Sequence, residues 1–284
     1  MTNVGFVGAG AMGTPMIERL VDAGHTTSVF ARREDVLVRV VERGAIRCNS
    51  IAEVASMASV VILCVYSDDQ VVDVCLGASG LLASMNPGAV LAVHTTGSPE
   101  LARTLHAQAQ EYGVAVVDAP VSGGPADIRS GQLTVLLGGA LGDASTCRSV
   151  LSAYADPILH VGDIGTAQAV KLVNNALLAA NLAVALEAAR VGSELGIDPS
   201  ALAAGITHCS GASRALSMVG SASSATQLLD AIRPYLRKDL STVSAVAQQL
   251  HLNLDMLERL GWDVLGGREE PTHPASVQEA SAAS

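Results

Sequence analysis

From residue 3 to residue 162 the chain alternates short apolar, β-branched runs with longer stretches in which apolar residues recur every three or four positions. The short runs are "NVGFVG" (3–8), "TTSVFA" (26–31), "VVILCV" (60–65), "VLAV" (90–93), "VAVVD" (114–118), "LTVLLG" (133–138) and "ILHVG" (158–162). Several have no polar interruption, which suits strands covered on both faces in a largely parallel sheet. Between them the spacing predicts helices at 12–23, 34–43, 51–57 and 98–112. The last opens on Ser98, Pro99 and Glu100: a hydroxyl able to cap free amides, a proline suited to the first helical position, and a carboxylate at the positive helix end. Regular strand–helix alternation of this kind predicts a doubly wound α/β sheet.

Beyond Gly162 the pattern changes. "AQAVKLVNNALLAANLAVALEAARVGSELG" (167–196) reads as one long Ala/Leu-rich helix, followed by helical stretches at 199–206, 212–219, 225–235 and 239–260, and no strand is predicted there. The expected organisation is therefore a doubly wound α/β domain over 1–162 and an all-helical second domain over 163–262, entered through the long helix. A tail over 263–284 has the Pro, Ser, Ala and Glu content of a disordered segment.

Composition narrows the class. The 284 residues are 49% hydrophobic and 15% charged, a packed globular balance, and with only 2% aromatic residues the cores must be built from Ala, Val and Leu. The net charge of −10, with no block of Lys or Arg, argues against nucleic-acid and anionic-membrane partners. Cys48, Cys64, Cys75, Cys147 and Cys209 are scattered and never form a Cys-x-x-Cys pair. That distribution predicts reduced thiols in a cytoplasmic protein, with neither a disulfide framework nor a metal site. The most apolar stretch, "ALLAANLAVAL" (176–186), is too short to cross a bilayer, and the amino terminus enters a strand with no signal segment before it. An apolar helix of this length is expected to pack on a second subunit as well as on its own domain, giving a homodimer or homotetramer.

Chemistry enters at "VGAGAMG" (7–13), where Gly8, Gly10 and Gly13 stand in Gly-x-Gly-x-x-Gly spacing between a strand and a helix. The first glycine permits the tight turn, the second lets a pyrophosphate approach the backbone, and the third brings helix and strand close; with Ala11 and Met12 they form a Rossmann-type dinucleotide loop. Free amides at the helix start supply the positive end for phosphate. An NAD-binding chain would place a carboxylate at the end of the second strand, but "VFARRED" puts Arg32 and Arg33 there. Two guanidinium groups suit a 2′-phosphate, so NADP is the expected cofactor, with NAD possible.

Two further stretches carry chemistry. "DAPVSGG" (118–124) follows a strand and places Ser122, Gly123 and Gly124 in a loop where ligands of such sheets collect. A hydroxyl beside glycine amides can cradle a carboxylate. In "GDIGTAQAVKLVNNA" (162–176), Lys171 and Asn175 are four apart on one helical face with Asn174 beside them. A lysine among Ala169, Val170, Leu172 and Val173 is costly unless paired or used. Desolvation beside a nicotinamide would lower its pKa toward working pH and let it exchange a proton with a carbonyl or alcohol oxygen.

Four motifs in order, "GFVGAGAMGTPM", "DAPVSGG", "GDIGTAQAVKLVNN" and "RKDL" (237–240), make the chain resemble the β-hydroxyacid dehydrogenase family over residues 3 to 250. The resemblance implies that Lys171 is the catalytic acid/base, that Asn175 positions the substrate with Asn174 beside it, and that Ser122, Gly123 and Gly124 hold the substrate carboxylate. It also implies that Thr96, Val65 and Tyr66 lie near the nicotinamide and its ribose, and that Lys238 and Asp239 approach substrate and cofactor from the helical domain. The substrate class so implied is a short-chain β-hydroxy acid and its semialdehyde.

Departures bear on the substrate. Ala167 stands where a glycine is usual, His94 where an aspartate is common, "CVYSDD" (64–69) replaces a proline-containing loop, and no phenylalanine precedes "RKDL". Imine reductases share the architecture but commonly carry Asp or Tyr where Lys171 stands. A 6-phosphogluconate-type decarboxylating enzyme would need a larger helical domain and more basic residues. A non-catalytic cofactor-sensing module is disfavoured by the joint presence of Lys171, Asn175 and Ser122.

Overall fold

The computed structural model describes residues 1–77 and 79–267. Nine strands form one sheet among the described residues: β1 (Asn3–Val7), β2 (Thr26–Phe30), β3 (Ile46–Arg47), β4 (Val60–Leu63), β5 (Val90–Val93), β6 (Ala115–Asp118), β7 (Val121–Ser122), β8 (Leu133–Gly138) and β9 (Ala155–Gly162). Their order is β3-β2-β1-β4-β5-β6-β8-β7, with β9 paired to β8. The first six strands run parallel in Rossmann order. β8 then reverses against β6 and β7, and β9 runs parallel to it.

The apolar runs become strands because both of their faces are buried. Phe6, Ile62 and Ala92 enter one core layer with Met16, Ile17 and Leu20. Val7, Val61, Leu63 and Leu91 enter the other with Val54, Leu81 and Leu105. Alternate residues point to opposite faces, so a continuous apolar run is what two covering layers demand. Each fully buried Leu, Ile or Phe contributes about 1.5–3 kcal/mol of transfer free energy.

The helices around and beyond the sheet are α1 (Gly13–Asp22), α2 (Glu34–Glu42), α3 (Ile51–Met57), α4 (Asp68–Cys75), α5 (Leu81–Ser84), α6 (Pro99–Ala109), α7 (Pro125–Arg129) and α8 (Leu141–Leu151). After the last strand come α9 (Thr166–Glu194), α10 (Pro199–Ile206), α11 (Arg214–Ser221), α12 (Ala225–Gln249) and α13 (Asp255–Val264). Ser98 caps α6 as expected, its Oγ accepting from the Leu101 N–H at 3.0 Å.

Several elements depart from the sequence pattern. α4, α5, α7 and α8 stand where no helix is predicted. α8 is "LGDASTCRSVL", rich in weak helix formers, and is held by burial of Ala144, Cys147, Val150 and Leu151. Ser122 lies in the short antiparallel strand β7 and not in a loop, paired with Thr134. The break expected between 235 and 239 is absent. α12 continues through Pro234, with Leu236, Leu240 and Val243 buried beyond it; burial on the far side outweighs the missing backbone donor. The chain leaves the helix at 250–254, where Asn253 Oδ1 accepts from the Asp255 N–H.

The described chain divides into two compact units. One is Met1–Asn175 with Ser241–His251, and the other is Ala176–Leu240 with residues 252–267. Of the stretch 263–284 expected to be disordered, residues 263 and 264 complete α13, and 268–284 lie outside the described residues. α9 as a whole is long and apolar enough to cross a membrane by length and composition, a property hidden when 176–186 is taken alone. Ala167, Leu172, Ala176, Ala179, Leu182 and Ala185 are nevertheless buried within the fold, a pattern shared with the core helices of globular proteins. None of the five cysteines is in a disulfide, and burial pushes the thiol pKa of Cys75 and Cys147 up to about 12.

One polar pair lies inside the sheet core. His94 follows β5, and its Nδ1 lies 2.6 Å from the Ala119 carbonyl oxygen while its Nε2 lies 2.7 Å from the Tyr154 hydroxyl. A carbonyl only accepts, so Nδ1 carries the proton and Nε2 accepts from Tyr154. Burial lowers the His94 pKa to about 4, opposed by the bond to Ala119. Between about pH 6.5 and pH 4 the unfolded chain therefore binds a proton that the folded chain refuses. This stabilising contribution is complete above the unfolded value and is lost as pH falls through that window. Thermal denaturation from pH 7 to pH 4 should show a falling Tm, and His94→Gln should flatten the fall; an unchanged slope in that variant would place its cause in other groups.

Candidate active site at the carboxyl ends of the parallel strands

Each parallel strand from β1 to β6 delivers a segment to the same edge of the sheet, where open α/β folds collect ligands. After β1 the three glycines hold three different environments. Gly8 has φ +107°, and a Cβ there would sit 2.0 Å from the Cys64 carbonyl oxygen. A Cβ on Gly13 would lie 2.2 Å from the Gly8 carbonyl oxygen and 2.9 Å from the Phe6 ring. At Gly10 a Cβ would meet nothing within 4 Å. Turn, open approach and close packing thus fall on successive glycines, and the space beside Gly10 fits a pyrophosphate. Met12 at the N-cap of α1 provides no side-chain cap and no acidic residue occupies the first turn, which leaves the helix end suited to an anion.

Arg32 and Arg33 follow β2, and both are exposed. Arg33 pairs with Asp35 at 2.9 Å in an arrangement more than 70% exposed on both sides. Sequence reasoning missed Arg47. It lies on β3 in register with Val29 of β2 and pairs with Glu34 at 2.5 Å. The two-residue strand that carries it is too short to leave a hydrophobic pattern.

After β4, the Val65 N–H donates to Thr95 Oγ1 at 2.9 Å, and that hydroxyl donates to the Val65 carbonyl at 3.1 Å. Tyr66, 47% exposed, is held through its N–H by Gln70 Oε1. Thr95 is thus the buried stitch between β4 and β5, and its neighbour Thr96 is half-buried. After β6, Asp127 Oδ2 accepts from the Gly124 N–H at 2.7 Å and also lies 2.7 Å from where a Gly123 Cβ would stand, at φ +131°. Because the Gly124 amide is engaged within the chain, the carboxylate-cradle reading narrows to the Ser122 hydroxyl and Gly123.

Lys171 and Asn175 lie on one face of α9, 8% and 4% exposed, and Asn174 on the exposed side donates through Nδ2 to Asn175 Oδ1 at 3.0 Å. The helix that carries them starts on Asp118, a residue to which no sequence motif assigns a role. This fully buried carboxylate accepts from the Gly165 N–H at 2.8 Å and from the Gln168 N–H at 2.9 Å. Burial pushes its pKa up, and the backbone donors of Gly165 and Gln168 pull it back. Hydrogen bonds to a charged group contribute about 1.5–3 kcal/mol each, which offsets the cost of burying the charge.

In the other unit, Lys238 Nζ lies 3.0 Å from Asp239 Oδ1 on α12, with Asp239 8% exposed. Arg237 beside them lies 6.0 Å from the Trp262 ring centroid and donates to the Leu265 carbonyl at 2.6 Å, joining α12 to the end of α13. No group of three or more His, Cys, Asp or Glu side chains able to hold a metal is present among the described residues.

Two family models match this chain. The NAD binding domain of 6-phosphogluconate dehydrogenase covers residues 3–162, and the NAD-binding domain of NADP-dependent 3-hydroxyisobutyrate dehydrogenase covers residues 165–260. The chain is 35% identical over 209 residues to a probable mitochondrial 3-hydroxyisobutyrate dehydrogenase of Dictyostelium discoideum, an alignment spanning 74% of this chain and 65% of that protein. It is 36% identical over 210 residues to L-threonate dehydrogenase of Cupriavidus necator, spanning 74% and 71%. Among solved structures, the Mycobacterium tuberculosis 3-hydroxyisobutyrate dehydrogenase with L-serine aligns at TM-score 0.82 and 27% identity, over 94% of this chain and 93% of that one. An imine reductase from Myxococcus stipitatus aligns at TM-score 0.67 and 18% identity over 93% and 92%, a likeness of fold. Rossmann sheet, helical continuation and ordered motifs agree: this chain is an oxidoreductase with NAD(P)-binding domains, and it belongs to the β-hydroxyacid dehydrogenase family.

Proposed function

We propose that the protein transfers hydride reversibly between NADPH and the semialdehyde of a short-chain β-hydroxy acid, with Lys171 as general acid/base. The observation that carries this reading is a buried lysine, with Asn175 on the same helical face, on a helix whose first turn is bonded to the strand leading into Ser122 and Gly123. The nicotinamide, when bound, supplies or accepts the hydride. Every other task belongs to the chain. In reduction the Lys171 ammonium donates a proton to the carbonyl oxygen as it becomes a hydroxyl; in oxidation the neutral amine takes that proton back. Asn175, oriented by Asn174, holds the same oxygen, and Ser122 with Gly123 receives the carboxylate end of the substrate. Thr96, Val65 and Tyr66 border the nicotinamide side, and Lys238 and Asp239 act from α12.

The preference for NADP rests on Arg32 and Arg33 at the end of β2. The Arg33 ion pair with Asp35 is exposed and contributes about 0–1 kcal/mol, so a 2′-phosphate can displace it. Arg47 adds a third guanidinium on the neighbouring strand. The name of the second matched domain, an NADP-dependent 3-hydroxyisobutyrate dehydrogenase, supports the same choice. An imine-reductase reading has the fold in its favour, but a lysine donor suits an oxygen substrate.

The same reading assigns a cytoplasmic location, supported by five cysteines outside any disulfide, which a reducing compartment keeps as thiols. It acts as a homodimer or homotetramer. Val170, Leu177, Val184 and Val191 stand exposed at seven-residue spacing on α9, with Val173 beside them. Such a stripe fits a second copy of the chain.

Lys171→Ala should lower kcat by about 10²–10⁴ with the dissociation constant for NADPH little changed; near-normal turnover would remove the lysine from the reaction. Arg32→Ala with Arg33→Ala should raise KM for NADPH and leave KM for NADH unmoved, whereas equal effects on both would remove the 2′-phosphate assignment. Sedimentation of Val184→Lys should show dissociation toward monomer, and an unchanged assembly would place the subunit contact elsewhere. A panel of 3-hydroxyisobutyrate, glycerate, 3-hydroxypropionate, 4-hydroxybutyrate and their aldehydes identifies the substrate.

A further inference from the structure

Asp118 belongs to the same stretch as Ser122, yet the reaction above asks nothing of it. Both of its oxygens are engaged at the first turn of α9, by the N–H groups of Gly165 and Gln168. Gln168, 2% exposed, continues the connection in two directions: its Oε1 accepts from the Gly97 N–H at 3.0 Å and its Nε2 donates to the Thr95 carbonyl at 2.8 Å. Thr95 in turn is bonded to both backbone groups of Val65. Four segments are thereby tied into one polar network: the end of β4, the turn after β5, the end of β6 and the start of α9. Lys171 lies three residues after Gln168, slightly less than one helical turn.

The niche leaves the carboxylate one position. A Cβ on Gly138 would stand 2.4 Å from Asp118 Oδ1, so the facing strand must carry glycine. Gly165 has φ +87°, and a Cβ there would come within 2.9 Å of the Pro99 carbonyl oxygen. Both glycines exist for the approach of strand, loop and helix end around that carboxylate. The negative charge also meets the positive end of a 29-residue helix, the orientation that the helix dipole favours.

We infer that Asp118 and Gln168 are positioning residues for Lys171: they fix the height and rotation of the helix, and so set where the ammonium stands relative to Ser122 and the Thr95–Gly97 turn. This rests on Lys171 being the acid/base. It adds that the two loops and the lysine are registered by one carboxylate and one amide, not by apolar packing alone. An isosteric Asp118→Asn presents a neutral amide to two backbone donors and removes the charge at the helix start.

The test is a double-mutant cycle on the full-length protein, with semialdehyde reduction by NADPH as readout and NADPH binding and Tm measured alongside. In the wild-type background Asp118→Asn should lower kcat by about 10²-fold, the size expected for misplacing a catalytic group by about 1 Å, with NADPH affinity retained. In the Lys171→Ala background the same change should lower the residual rate by less than about threefold, because its effect acts through the lysine. Gln168→Ala should behave in the same way, and it carries the comparison if Asp118→Asn does not fold. Equal losses in both backgrounds, or wild-type kcat in either single variant, would overturn the inference. Full activity of Lys171→Ala alone would instead overturn the assignment of the lysine, so the two failures are distinguishable.

Discussion

The site depends on one buried charge. Asp118 ends a strand in the middle of the sheet, where a carboxylate without partners would be severely destabilising. Its partners are backbone amides at the start of a helix, 47 and 50 residues later in the chain. The helix needs an acceptor for its free N–H groups and the carboxylate needs donors, so each resolves the other's cost. The direction of α9, and everything displayed on its second turn, follows from where that strand ends.

Around this anchor the fold performs ordinary α/β work. Parallel strands buried on both faces deliver their following segments to one edge, and three glycines at the first crossover let backbone, helix and phosphate share a small volume. The unlike surroundings of Gly8, Gly10 and Gly13 explain why no single property of glycine accounts for the motif. One site needs a positive φ, one needs empty space, and one needs helix and strand in contact. His94 and Tyr154 contribute a second polar stitch beneath the loop after β6, through the carbonyl of Ala119.

The sheet was legible because its strands are continuous apolar runs, and the long helix because its composition is uniform. The dinucleotide loop and the Lys171–Asn175 face were legible from spacing. β3, β7, α5 and α7 were not, since elements of two to five residues carry no period. α8 was hidden by its Ser, Thr, Gly and Asp content, and the run through Pro234 by a residue that normally ends helices. In each case tertiary burial decides what local propensity would refuse. In the sequence Asp118 falls within a substrate motif, and nothing local marks Gln168. Their function is a contact across 50 residues of sequence, and no local pattern encodes such a contact. Arg47 was invisible for the same reason, since its place beside β2 is a property of strand order.

The chemistry proposed here reduces to one spatial claim, that the Lys171 amine meets the reacting oxygen of a hydroxy acid while Asp118 holds the helix in place. The most direct measurement is a crystal structure of the protein with NADP+ and a turned-over hydroxy acid. The expected result places Lys171 Nζ within about 2.6–3.2 Å of the substrate hydroxyl, the carboxylate on Ser122 and Gly123, and Asp118 still bonded to Gly165 and Gln168. A hydroxy acid bound with its hydroxyl on another residue, and the lysine amine directed away from it, would contradict the account.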